Sequence, residues 1–202
     1  MAAAALEQYR DLLYTIVYTA LKNCVHEPGR ELLEADSDLT ADLPEFLRQP
    51  GASFVTLLKN GALRGCIGTI EAYQPLYLDL QKNACAAALR DPRFPPVSAD
   101  ELESLEIHLS LLSKPEPMHF DSEQDLLAQL QPGRDGLVLK DGPYHGTFLP
   151  SVWESLPDPA TFWTELKRKA GLPPDHWSDT LKVERYQSES LRFPPNYTPS
   201  RA

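Results

Sequence analysis

Asn60-Gly61 stands between two apolar, β-branched runs, Ser53 to Lys59 and Ala62 to Ile70. Both central residues of a two-residue hairpin turn must reach positive φ, which Asn and Gly do at least cost, so this stretch commits the chain to an antiparallel hairpin. With a regular two-residue loop, Leu57 faces Arg64 and Val55 faces Cys66. Arg64 and Cys66 then share one face of the second strand, and Leu63 and Ile67 share the other. Glycine inside a strand weakens it and marks a bulge or a close approach by backbone or ligand. Gly65 and Gly68, beside a cation and a thiol, therefore make this strand the candidate functional one.

Hydrophobic periodicity supplies the rest of the framework. Leu6, Tyr9, Leu13, Ile16, Val17, Ala20, Leu21 and Cys24 recur at helical spacing, predicting a helix over 6–24 that Pro28-Gly29 ends. An acidic connection to Thr40 and a short helix over 44–49 follow. Pro75 suits a first helical position and opens a helix over 75–89, whose stripe of Leu76, Leu80, Ala84, Ala87 and Ala88 allows close packing. Pro92 ends it and stiffens the loop Asp91-Pro92-Arg93-Phe94-Pro95-Pro96. Strict alternation over 105–113 predicts a strand with one buried face, its polar side carrying Glu106, His108 and Ser110. Asp121 or Ser122 caps a helix to Gln131. Segments 136–140 and 145–149 form a second hairpin around Asp141-Gly142. Asp158 and Pro159 open a helix that Gly171 ends. A strand over 181–186 and a Pro-rich tail over 193–202 complete the chain. Helices alternate with short-looped hairpins, which predicts an α+β fold with mainly antiparallel sheets, built as two interlocked α/β subdomains within one domain over 1–192.

Composition excludes several functions. The chain's 202 residues can bury a core without staples. Three cysteines, Cys24, Cys66 and Cys85, are too few and scattered for a disulfide framework, which points to a reduced, cytoplasmic protein. No run of about 18 apolar residues could span a membrane, and the start, Met1 to Glu7, lacks the basic region of a signal peptide. No CxxC or clustered His/Cys spacing suggests a metal. No phosphate loop, dinucleotide fingerprint or hydrolase signature suggests a cofactor or a standard nucleophile. A formal charge of −10 opposes phosphate-driven nucleic-acid binding. Between Phe54 and Phe94, however, five basic residues (Lys59, Arg64, Lys82, Arg90, Arg93) outnumber three acidic ones (Glu71, Asp79, Asp91). The hairpin region reads as an island of positive charge.

Leu63-Arg64-Gly65-Cys66-Ile67-Gly68 is similar to the LRGCIG signature of the AMMECR domain family, which includes protein A of the bacterial AmmeMemoRadiSam system. Phe54-Val55-Thr56-Leu57, Asp91 to Val97, Gly146 to Pro150 and Lys169 to Leu172 also match in family order, so the resemblance covers roughly residues 6 to 190. It implies two α+β subdomains with the signature lining a cleft. It also implies association with Memo-like and radical-SAM proteins, without a firmly established reaction. Fold alone supplies no function.

Within the resemblance, two chemistries compete. Cys66 is the candidate nucleophile: Arg64, two residues away, would favour a thiolate. His145, on the second hairpin, is the candidate base if the hairpins meet. Alternatively, Cys66 is a small packed residue beside Val55. Arg64 and Arg93 read as anion holders, since a guanidinium fork suits carboxylate or phosphate and the bare backbone of Gly65 and Gly68 can add amides. Alternatively, Arg64 pairs with Asp91 and pins the loop to the strand. Three function classes follow: a docking or substrate-handling partner, an enzyme acting on a small anionic molecule through Cys66, and a nucleic-acid-associated regulator, which the charge opposes.

Overall fold

The computed structural model describes residues 6–27 and 43–200. The acidic connection expected before Thr40 lies outside the described residues. The chain divides into two compact units, one comprising the chain up to Leu112 with the segment from Glu189 onward, the other Ser113–Ser188. The fold is α+β with antiparallel strand pairing.

In the first unit, α1 (Arg10–His26) and α2 (Glu45–Arg48) precede the hairpin β1 (Ala52–Lys59) and β2 (Ala62–Gly68). Asn60 and Gly61 have φ of 53° and 76°, the geometry their identities demanded. Then come α3 (Leu76–Leu89), a 3-10 turn at Ala99–Ser104, and β3 (Leu105–Leu112). The sheet order is β2-β1-β3-β7, where β7 (Lys182–Phe193) contributes its last residues. α3 lies on β1 and β2, and α1 lies on α3. Val55, Leu57, Ile107, Leu109, Leu191 and Phe193 turn one sheet face into this core. The alternation in β3 is as regular as its sequence: Leu105, Ile107, Leu109 and Leu111 are buried and the residues between are not.

The second unit holds β4 (Glu116–Pro117), α4 (Glu123–Gln129), β5 (Asp135–Asp141), β6 (Tyr144–Phe148), a 3-10 turn at Pro150–Glu154, and α5 (Pro159–Lys169). Here β5 pairs with β6 and with the first half of β7, and β4 pairs with β7. The Ser122 side chain accepts the Asp125 N–H and caps α4; the Asp158 carboxylate accepts the Thr161 N–H and caps α5. Gly171, at φ 85°, follows the end of α5. Trp153 and Phe162 stack with ring centroids 3.8 Å apart at the centre of this core.

Three expectations need correction. The helix expected over 6–24 is helical at Leu6 and Glu7 but is interrupted by a turn at Gln8 and Tyr9, and its continuous part runs from Arg10 to His26. The last strand continues past Tyr186 to Phe193, because Leu191 and Phe193 alternate into the first unit's core. Phe193, fully buried, belongs to a strand and not to the tail. Finally, β2 carries a bulge: Leu58 pairs with Leu63, but Leu57 pairs with Gly65. Arg64 is the extra residue, so Cys66 lies opposite Thr56 and Val55 opposite Ile67.

Candidate functional site

The bulge decides where the signature side chains go. Gly65 faces Leu57 and therefore the helical side of the sheet. A Cβ at Gly65 would stand 2.1 Å from the Ala87 carbonyl oxygen of α3, so the glycine exists to let helix and strand touch. A Cβ at Gly68 would stand 2.2 Å from the Phe54 ring and 2.5 Å from the Ser53 carbonyl oxygen. Of the bulge, backbone and ligand readings that the sequence left open for these glycines, the close neighbours are the protein's own backbone and the Phe54 ring.

Arg64, released from the ladder, reaches over the stiff proline loop. Its Nε donates to Glu101 Oε1 at 3.1 Å and its Nη2 to Glu101 Oε2 at 3.0 Å, a two-point pair. Nη1 donates to the Pro95 carbonyl at 2.7 Å and Nη2 also to the Pro96 carbonyl at 3.1 Å. The alternative Arg64–Asp91 pair does not form: Asp91 is engaged by Cys66 and Arg93, and the Arg64 fork takes Glu101 instead. Glu101 also accepts Lys59 Nζ at 2.9 Å and the Ser98 N–H at 3.0 Å. The Arg64 guanidinium, with its other partners, holds the Glu101 carboxyl far below the usual carboxylate range. Sequence reasoning placed Glu101 only within an acidic run. The pattern Ser98-x-x-Glu101 is a capping box, and that signal would have marked it as a fixed carboxylate.

Asp91 is almost fully buried and ties the loop to β2 from below the thiol. Its Oδ2 accepts the Cys66 N–H at 2.8 Å and Arg93 Nη2 at 2.6 Å. Its Oδ1 accepts Arg93 Nε at 2.9 Å and the Arg93 N–H at 3.1 Å. β2 ends the sheet order, so its outward N–H needs a partner off the sheet, and Asp91 is that partner. The Arg93 guanidinium, followed by the amides of Cys66 and Arg93, outweighs burial and holds Asp91 far below the usual carboxylate range. The positive island is thereby largely neutralised: Lys59 and Arg64 answer Glu101, and Arg93 answers Asp91.

Cys66 is half-buried on the sheet face away from α3. The Thr56 hydroxyl donates to its Sγ at 3.1 Å. Thr56 in turn lies opposite His108 of β3, giving a cross-strand row of Cys66, Thr56 and His108. His108 Nε2 is 2.5 Å from Glu106 Oε1. Two strand spacings, about 10 Å, separate Cys66 from His108, so the imidazole does not touch the thiol. His145, the base expected from sequence, stands in the other unit, on β6 opposite Lys140. Thr56 was missed as a site residue; its place beside the signature follows only from the bulged register. Arg93 keeps an exposed guanidinium, with its Nη2 3.4 Å from the Cys66 carbonyl oxygen and its carbon over the Phe94 ring. The other two cysteines are core residues: Cys85 donates to the Ala20 carbonyl, and the neighbouring Cys24 together with burial pushes its thiol up. Among the described residues, no cluster of His, Cys, Asp or Glu is arranged to hold a metal ion, and no helix is long and apolar enough to cross a membrane.

A model of the AMMECR1 family matches residues 16–191. The chain belongs to the AMMECR1 family. A protein of Methanothermobacter thermautotrophicus is 41% identical over 157 residues, covering 75% of this chain and 80% of the relative. One of Thermotoga maritima is 40% identical over 164 residues, covering 80% of this chain and 87% of the relative. The crystal structure of the uncharacterized protein PH0010 from Pyrococcus horikoshii is similar with a TM-score of 0.80 and 32% identity, covering 96% of this chain and 97% of that one. In this member of the family, most of the signature's chemistry is spent internally: glycines on packing, Arg64 on Glu101, Asp91 on the strand edge.

Proposed function

We propose that this AMMECR1-family chain is a docking or substrate-handling component that works with Memo-like and radical-SAM proteins, and that it presents Arg93 and Cys66 together to a small anionic group. The supporting observation is the division of labour between the two arginines. Arg64 has all its nitrogens occupied and only 13% of its side chain exposed. Arg93 spends Nε and Nη2 on Asp91, while its side chain is 54% exposed and its Nη1 has no partner among the described residues. A buried carboxylate that orients an exposed guanidinium preorganises it to receive an anion.

The thiol favours binding over catalysis. Its contact is a hydroxyl, and among the described residues no base hydrogen-bonds to it, whereas nucleophilic catalysis needs nucleophile and base within reach. An enzymatic reading keeps one support, the Cys66–Thr56–His108 row with Glu106 on the imidazole. The test is co-expression of the chain with Memo-like and radical-SAM proteins, followed by calorimetry of the purified chain with carboxylate and phosphate compounds. The proposal expects a stable complex and anion binding that Arg93→Ala abolishes and Cys66→Ser retains. Turnover of such a compound by the isolated chain, lost in Cys66→Ser and His108→Ala, would replace it with the enzymatic reading.

A further inference from the structure

In the first unit, far along the chain from the signature, the C-terminal segment folds back over α1. Tyr197 O–H donates to the Asp11 carboxylate, and the Ser200 N–H donates to the same group at 3.0 Å. The Asn196 N–H donates to the Glu103 carbonyl at 3.2 Å, which closes the segment onto the 3-10 turn. Between these elements lies an open groove of about 360 Å³. That is within the usual size of small-ligand sites, roughly 300–1,000 Å³.

The lining has a definite chemistry. Tyr14, Tyr18 and Tyr197 supply aromatic surface, with Tyr14 stacked on Tyr18 at 5.1 Å and edge-on to Tyr197 at 4.8 Å. Glu103 is the charged residue of the lining, and no lysine, arginine or histidine is among the lining residues. The Glu103 carboxylate has no ion pair or hydrogen bond among the described residues. Burial first, then the neighbouring Tyr18 and Tyr197, push the Tyr14 pKa up to about 12, so its ring stays a neutral phenol at neutral pH. Aromatic faces attract cations through their quadrupoles, and a nearby carboxylate adds to that field. The same ring cluster already holds a cation elsewhere: the Arg10 guanidinium lies 5.5 Å from the Tyr197 centroid and 4.8 Å from that of Phe193.

We propose that this groove is a binding site for a small organic ammonium ion, held by the Tyr14, Tyr18 and Tyr197 rings and by the Glu103 carboxylate. The site is separate from the Arg93–Cys66 edge, takes a ligand of opposite charge, and stands or falls independently of it. An alkylated ammonium fits better than a metal ion, because the lining offers a single carboxylate, the rest of its oxygens being neutral, beside three aromatic rings. It also fits better than a primary amine, whose tight hydration the rings do not replace.

The experiment titrates the full chain with choline, and separately with its neutral isostere in which carbon replaces the ammonium nitrogen, following tyrosine resonances by NMR. The expected result is saturable binding of choline, at least about tenfold tighter than the isostere. Glu103→Gln and Tyr18→Ala each weaken choline by about tenfold, while Tyr18→Phe and Arg93→Ala leave it unchanged. Tyr18→Phe also serves as the folded control, since it keeps the ring. Equal binding of choline and isostere would overturn the proposal, as would no binding of either to the folded wild-type chain.

Discussion

Asp91 accepts the backbone N–H of Cys66 at 2.8 Å. A buried carboxylate at the end of one helix thus supplies the missing hydrogen-bond partner of an edge strand, twenty-five positions back in the chain. The same carboxylate orients Arg93, so the thiol's backbone and the exposed guanidinium are positioned by one group.

Asp91→Asn tests that linkage. The amide turns one acceptor into a donor, so either the Cys66 N–H or the Arg93 fork faces a donor. Leaving such a buried group unsatisfied costs about 1–3 kcal/mol, which urea unfolding will read as a lowered midpoint with unchanged slope. The pH dependence carries a sign. Folding depresses the Asp91 pKa, so its stabilisation is complete above the ordinary carboxylate range and is lost as pH falls through the folded value. The wild type should lose stability below about pH 4 more steeply than Asp91→Asn. Parallel curves for the two proteins would remove Asp91 from this role.

Arg64 makes a different prediction. Arg64→Ala strips Glu101 of its two-point partner and frees the Pro95 and Pro96 carbonyls. With both side chains about one-eighth exposed, the loss should be about 3 kcal/mol, the lower end for a broken buried pair. Arg64→Lys should recover less than half, because an ammonium cannot span both carboxylate oxygens and two carbonyls. Full rescue by lysine in thermal unfolding would mean that charge alone matters here.

Gly65→Ala should be the most damaging single methyl in the signature. Its Cβ meets a backbone carbonyl of α3 at 2.1 Å, and a helix backbone cannot rotate aside as a side chain can. Overpacking of this kind costs about 3 kcal/mol or more. Gly61→Ala is the comparison: nothing lies within 4 Å, and its cost comes from φ of 76° alone, about 1 kcal/mol. Equal thermal shifts for the two would show that the strand moves away from the helix without penalty.

What the sequence made legible follows from how local each signal is. Asn60-Gly61 encodes its own turn, and the β3 alternation encodes its buried face; neither needs distant information. The bulge at Arg64 depends on where Gly65 must sit against Ala87, a contact no local pattern announces. Once the register moved by one residue, Arg64 took Glu101 in place of Asp91, and Cys66 took Thr56 in place of Val55. Family resemblance singled out Arg64, Cys66, Asp91 and Arg93, but their partners were long-range choices among several carboxylates.

In the second unit, Asp141 organises the segment after α5. It accepts Thr180 Oγ1 at 2.6 Å and Ser178 Oγ at 2.7 Å, and lies 2.6 Å from His176 Nε2. The Thr180 hydroxyl first, then His176 and Ser178, lower its pKa to about 2. Its contribution is therefore present above the ordinary carboxylate value of about 4 and is lost as pH falls toward 2. Trp177, 38% exposed and edge-on to Phe120, sits within this segment. Its fluorescence should change in that acid window, and Asp141→Asn should show the acid-like spectrum already at neutral pH. A neutral-pH spectrum unaltered by the substitution would refute the anchoring role.

The last prediction separates thiol from guanidinium. Cys24 and Cys85 are 7% and 3% exposed, and Cys66 is the half-buried one. A thiol reagent should therefore modify one equivalent in the native chain and three in denaturant, with the fast equivalent absent in Cys66→Ser. Cys66→Ser nearly conserves volume and keeps the amide that Asp91 holds, so its stability loss should stay under about 1.5 kcal/mol. Arg64→Ala should then disturb partner and anion binding more than Cys66→Ser does, because losing the Glu101 clamp loosens the proline loop that carries Arg93. The comparison is calorimetric, on variants first confirmed as folded by circular dichroism. If Cys66→Ser abolishes binding while Arg64→Ala preserves it, the thiol is the group that matters and the clamp is only architecture.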